Sequence, residues 1–227
     1  MRSDSSTGRS RDRLIHDLTA DLRPVRRLPA PEVRTLVWLG AVACIAVVLA
    51  LFSDLSTVAH RLAAVPDMWL AVTGSTLTAI FAAIAAFKLS VPGRNAAWAF
   101  LPLPAAILWI AASSAGCLRT SFVADTHGAF LADTIHCLIF ILAVSVPLTA
   151  LLLLMLRRAY PLRPGMTAAI AGLASAAAAA TLLNFFHPFD ATATDLLVHV
   201  AAVTLVVLAN RVLGGQILAA DISQVRA

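Results

Sequence analysis

Residues 134–164 read TIHCLIFILAVSVPLTALLLLMLRRAYPLRP. The run 134–156 contains no Asp, Glu, Lys or Arg, and Arg157 and Arg158 follow it at once. A helix needs roughly 20 apolar residues to cross ~30 Å of hydrocarbon, so this run is long enough to span a bilayer. Working outward, the same pattern recurs at 36–53, 68–88, 96–115, 166–186 and 196–213. Each run ends at a polar or Pro/Gly break. The sequence therefore predicts an all-α membrane protein, six transmembrane helices packed as a bundle.

Charge sets the orientation. With the N-terminus placed inside, fifteen of the 17 Lys and Arg residues fall on that side, and only Arg61 and Arg119 fall outside. This satisfies the positive-inside rule. The twelve acids divide six and six, so the outer loops carry 2 − 6 = −4. An even number of spans puts both termini in the cytoplasm. The expected layout is a cytoplasmic N-terminal tail (1–35), a six-helix domain (36–214) and a cytoplasmic C-terminal tail (215–227). The chain is expected to cross its membrane several times.

Composition agrees. The chain is 60% hydrophobic, against about 45–50% for soluble domains. The pI of about 10.1 does not point to nucleic acid. Its basic residues sit in the tail and inner loops, where topology and anionic headgroups account for them. No direct nucleic-acid partner is expected. The first 35 residues are polar and charged, so no cleavable signal peptide is expected and span one acts as an uncleaved anchor. Three cysteines are too few and too scattered for a disulfide scaffold or a zinc ribbon.

Within the tail, residues 1–9 are small and polar and are expected to be disordered. Residues 10–22 (SRDRLIHDLTADL) differ, because Leu14, Leu18 and Leu22 recur every four residues with Ile15 beside them. That is the period of an amphipathic helix. Pro24 stops it, and Pro29 and Pro31 keep the approach to span one extended. Two readings fit: a helix lying on lipid, or a docking helix for a cytosolic partner. Lipid-surface helices are rich in Lys and Arg on the polar face. This one sets Asp12, Asp17 and Asp21 against Arg11 and Arg13, which leaves the docking reading open.

The spans carry no ionisable group near their centres except the thiol of Cys44. Ion-coupled carriers usually place a charge there, so a small-molecule or ion transporter is disfavoured. A membrane redox protein binding haem needs histidines facing one another at membrane depth, and only His199 lies about a turn inside a span. No cofactor and no enzymatic activity are expected. Pro102, Pro104 and Pro147 are expected to kink spans three and four. Span five has small residues at Gly172, Ala176 and Ala180, which suits close helix packing at the centre of the bundle.

Five of the six histidines fall on the outer side, together with Cys117, Cys137, Asp125, Asp133, Asp190 and Asp195. Three readings of this set stay open: interfacial polar residues, a metal or ligand site, and a thiol or proton sensor. No pair has the spacing of a dedicated metal site. His136 and Cys137 are adjacent, about 100° apart on a helix. His187 and His199 straddle the last turn, with Asp190 between them. A bridge between Cys117 and Cys137 requires Cα atoms within ~7 Å.

The stretch 17–40, DLTADLRPVRRLPAPEVRTLVWLG, resembles the N-terminus of the NrsF-type membrane anti-sigma factors. Asp21, Leu22, Pro24, Val25, Arg26, Arg27 and Leu28 match the family core. Further matches are CLIFIL at 137–142, LRRAYPLRP at 156–164, and Ala171, Gly172 and Leu173. His187, Pro188, Phe189 and Asp190 match the last hairpin, with His199 in an aromatic position. The resemblance covers most of the chain, although spans one to three match mainly in hydrophobicity. It implies that the tail holds an extracytoplasmic-function sigma factor at the membrane through Leu14, Leu18, Asp21, Leu22, Arg23, Pro24, Val25, Arg26 and Arg27. It implies release on an envelope signal, oxidative or metal stress, read at Cys137, Cys117, His136, His187, Asp190 and His199. Family members often carry a second cysteine after the hairpin His, where this chain has Pro188. A dithiol switch here would have to use Cys117 instead.

Overall fold

The computed structural model describes residues 4–20, 28–64, 66–121, 130–184 and 193–224, and every regular element among them is helical. The order is α1 (Asp4–Ala20), α2 (Pro31–Leu51), α3 (Leu55–Ala64), α4 (Pro66–Leu89), a 3₁₀ turn (Ala96–Phe100), α5 (Leu103–Ser121), α6 (Phe130–Arg157), α7 (Pro164–Leu183), α8 (Ala193–Ala209), a π turn (Asn210–Gly214) and α9 (Gly215–Gln224).

Among the described residues, six stretches are long and apolar enough to cross a membrane: Pro31–Leu51, Met68–Leu89, Ala96–Ala115, Ile135–Arg157, Pro164–Leu183 and Leu196–Ala220. They reproduce the expected runs, with four informative differences. The first helix begins at Pro31, not at 36, because Pro31 takes the helix-starting position that its fixed φ suits. Arg34 then lies inside the helix. The sixth stretch does not stop at 213. It passes through the π turn into α9, whose Leu218 is 1% exposed in the main core.

Pro102 and Pro104 do not kink a continuous helix. The 3₁₀ turn ends at Phe100 and α5 restarts at Leu103, so Pro104 falls in its first turn, where no intrahelical amide is needed. Residues 4–9, expected to be disordered, are the start of α1.

The core forms around α7. Of the six stretches it is the most enclosed, 72% buried, against 17% for α2. Small side chains are the cause. Adding a Cβ at Gly172 would bring it 2.9 Å from Asn210 Cβ, and at Gly215 it would come 3.0 Å from Gly165 Cα. α7 packs against α4, α6, α8, the π turn and α9. The main core joins Trp38, Phe87, Leu148, Leu152, Leu156 and Leu218 to the alanines of α4 and α7. Hydroxyls in the helices are mostly satisfied locally: Thr35, Thr78 and Ser175 each donate to the carbonyl four residues back. That is the economical solution where water is excluded. The Thr181 hydroxyl also reaches across to α4, from Thr181 Oγ1 to Ser75 Oγ at 2.9 Å.

Alternation of helix direction gathers the start of α2, the end of α4, the 3₁₀ turn, the end of α6 and the start of α7 at one end. Contacts confirm the grouping: Arg34 touches Met155, Glu32 touches Lys88, and Gly165 lies against Arg211. Arg94, Arg157, Arg158 and Arg163 lie in or beside the same loops. It is called the basic end below.

Candidate functional site

Three places carry the functional expectations: the tail, the basic end, and the opposite end.

On α1, all of residues 11–20 are exposed. Leu14, Ile15 and Leu18 are 59%, 58% and 65% exposed, so the apolar stripe predicted by the four-residue spacing is present and is not buried against the bundle. Thr19 Oγ1 donates back to the Ile15 carbonyl at 2.8 Å. Asp21, Leu22, Arg23, Pro24, Val25, Arg26 and Arg27 lie outside the described residues.

The basic end holds a constellation that the sequence reading missed. The guanidinium of Arg34, in the first turn of α2, donates to the carbonyl of Met155 and, at 3.3 Å, to Ser90 Oγ. It also lies 4.7 Å from the centroid of the Phe87 ring. Arg34 is 5% exposed. Beside it, Lys88 pairs with Glu32 and sits 5.5 Å from the Trp98 ring. Glu32 is largely exposed, so solvent screens this pair and it adds little to stability. One turn further along α2, Trp38 Nε1 donates to the Leu148 carbonyl at 3.1 Å. Arg34 and Trp38 are four residues apart, on the same face of α2.

At the opposite end, the expected sensing residues whose side chains are described are His136, Cys137 and His199. Cys137 is 2% exposed and packs with Ile141, Ala179, Leu183 and Ala202. His136 is exposed, as the turn between neighbours on a helix requires. His199 is half-buried on α8, one turn before Ala202. Cys117 falls on α5, with its side chain outside the described residues, and His187 and Asp190 lie outside them altogether. Among the described residues no group of three or more His, Cys, Asp or Glu could hold a metal ion.

Also at this end, Asp54 precedes α3. Its carboxylate accepts from the hydroxyls of Thr57 and Ser56, each at 2.7 Å, and from the Ser56 amide at 3.0 Å. These donors, the Thr57 hydroxyl foremost, hold its pKa at about 2. Asp54 thus caps the start of α3.

Residues 18–219 match the family model NrsF, negative regulator of sigma F. No curated protein and no solved structure matches the chain.

Proposed function

The chain belongs to the NrsF family of negative regulators of sigma F, and from that premise we infer that it is an integral membrane anti-sigma factor whose N-terminal tail sequesters an extracytoplasmic-function sigma factor. The family is one of regulators, not of enzymes. The observation that carries the reading is the exposed Leu14, Ile15 and Leu18 stripe on a helix whose residues 11–20 all face outward. Amphipathic helices dock by laying such a ridge into an apolar groove.

In this reading Leu14, Leu18 and Leu22 form the ridge. Asp21 and Val25 extend the contact and Pro24 ends the helix, while Arg23, Arg26 and Arg27 meet acids on the partner or lipid phosphates. In this reading the basic end and both termini lie in the cytoplasm of a bacterium and the bundle in its inner membrane, an orientation that the charge asymmetry supports. An envelope signal, oxidative or metal stress, acts at the opposite end through Cys137, with Cys117, His136, His187, Asp190 and His199 as the further inputs. Buried in an apolar group, the Cys137 thiol would become reactive only when the packing opens.

Co-purification tests this. Full-length protein from detergent-solubilised membranes should bring a sigma factor with it. Recovery of the chain with no sigma factor contradicts the reading.

A further inference from the structure

Among the described residues Arg34 is the one charged side chain that is buried. A buried charge persists only where its surroundings compensate it. Here the neighbours are a carbonyl, a hydroxyl and an aromatic ring, none with a full negative charge. The compensation comes from helix ends. Met155 lies in the last turn of α6, which ends at Arg157, and Ser90 directly follows α4, which ends at Leu89. The last carbonyls of a helix lack intrahelical donors and carry the negative pole of its dipole. The guanidinium of α2 therefore caps α6 directly and reaches α4 through Ser90 Oγ, which itself donates to the Phe87 carbonyl at 2.7 Å, and its planar fork is what lets a single side chain serve both.

Only 17% of the apolar stretch of α2 is buried, and its buried residues, Arg34, Thr35 and Trp38, all lie in its first eight positions, with Leu39, Val42 and Ile45 only partly buried against the core. Its other ties near the base are the Trp38 indole bond and the exposed Glu32–Lys88 pair. The chain that enters α2 is the tail itself. Any relative shift of α4 and α6 must either carry Arg34 along or unseat it.

We propose that Arg34 is the coupling residue between bundle and tail: seated on the ends of α4 and α6 it fixes the base of α2 and keeps the tail competent to hold its partner, and unseated it lets that base move. This rests on the tail reading above. By linkage, partner binding to the tail also favours the seated state. Arg34 is a positioning residue; it need not touch the partner.

The test uses the full chain in lipid nanodiscs and the sigma factor recovered with the wild-type chain. Amide exchange is measured in Arg34→Ala, Arg34→Lys and wild type, with and without that sigma factor. The expected result is at least tenfold faster exchange over 31–38 in both variants, with 168–180 in α7 unchanged as evidence of an intact bundle. The sigma factor should slow exchange over 31–38 in wild type and not in the variants, and both variants should bind it at least tenfold more weakly. Arg34→Lys keeps the charge and stem, so it remains informative if Arg34→Ala does not fold. Wild-type exchange over 31–38 in the variants, or wild-type affinity, overturns the coupling alone. A wild-type chain that recovers no sigma factor overturns the tail reading and the coupling with it.

Discussion

The indole of Trp38 donates to the carbonyl of Leu148 across 3.1 Å, joining α2 near its base to α6 with a side chain that is 0% exposed. It is the deepest tie that α2 makes. Trp38→Phe keeps most of the ring and loses the bond, and should destabilise the protein by about 1 kcal/mol, the usual size for an interhelical hydrogen bond in membrane proteins. Trp38→Ala also opens a cavity and should cost about 3–5 kcal/mol. Reversible denaturation in mixed micelles measures both, and equal losses for the two variants would show that the bond, not the packing, holds α2.

Gly74 and Trp109 set the approach of α4 to α5. A Cβ at position 74 would lie 2.7 Å from the Trp109 amide nitrogen and 2.8 Å from its Cα. Backbone cannot yield as a flexible side chain does, so Gly74→Ala should destabilise by about 1–3 kcal/mol. Gly40 on α2 has nothing within 4 Å of a built Cβ. Gly40→Ala should be neutral or slightly stabilising, as Ala is the better helix former by about 1 kcal/mol. The same denaturation assay compares the two, and a tolerated Gly74→Ala would contradict the described contact.

Asp54 gives a pH dependence with a defined sign. Its pKa is depressed from 3.8 to about 2 by the Thr57 and Ser56 donors. A depressed carboxyl contributes stability that is complete above the unfolded value and fades as pH falls through the folded one. The cap on α3 should therefore weaken between about pH 4 and pH 2 and be unaffected above pH 5. Amide exchange in residues 55–60 should rise across that window in wild type, and Asp54→Ala should show fast exchange at every pH. A wild-type response centred near neutrality would assign the effect to another group.

Six helices could be read from the chain because membrane crossing imposes length and apolarity on a single continuous run, which needs no tertiary knowledge. The centrality of α7 was legible for a related reason: Gly172 and its alanine neighbours have no other use for so much small surface. Arg34 was not legible as a site. A charge next to an apolar run marks a boundary in hydropathy, and only the carbonyl of Met155, 121 residues away in sequence, shows why the helix starts before it. Pro102 and Pro104 misled in the same way, since whether a proline kinks a helix or begins one depends on where the preceding turn ends. Of the tail stripe, Leu14 and Leu18 lie exposed on α1, and Leu22 lies outside the described residues. Adjacency already separated His136 from Cys137 by about 100° on a helix, but which of the two faces the core depends on the packing of α6 against α7 and α8, which spacing does not carry.

Cys137 separates sensing from packing. Cys137→Ser places a hydroxyl in the group formed by Ile141, Ala179, Leu183 and Ala202. Repression in untreated cells should persist, while induction by oxidants or metal salts should change. A sigma-dependent reporter measures both states, and a wild-type response in the variant would assign the thiol to packing.

The tail's side of the membrane is open to a direct check. A reporter active only in the cytoplasm, fused at residue 5, should be active. Activity only for an externally active reporter there would put the docking helix out of reach of any transcription factor.

Leu18→Asp tests the central claim most directly. The substitution sets a carboxylate at the centre of the exposed ridge and touches nothing in the bundle. Retention of the co-purified sigma factor should fall with a loss on the order of 2–4 kcal/mol of binding, as for an interface hot spot, while the variant's yield and thermal stability in detergent stay at the wild-type level. Equal retention by wild type and Leu18→Asp would contradict the account.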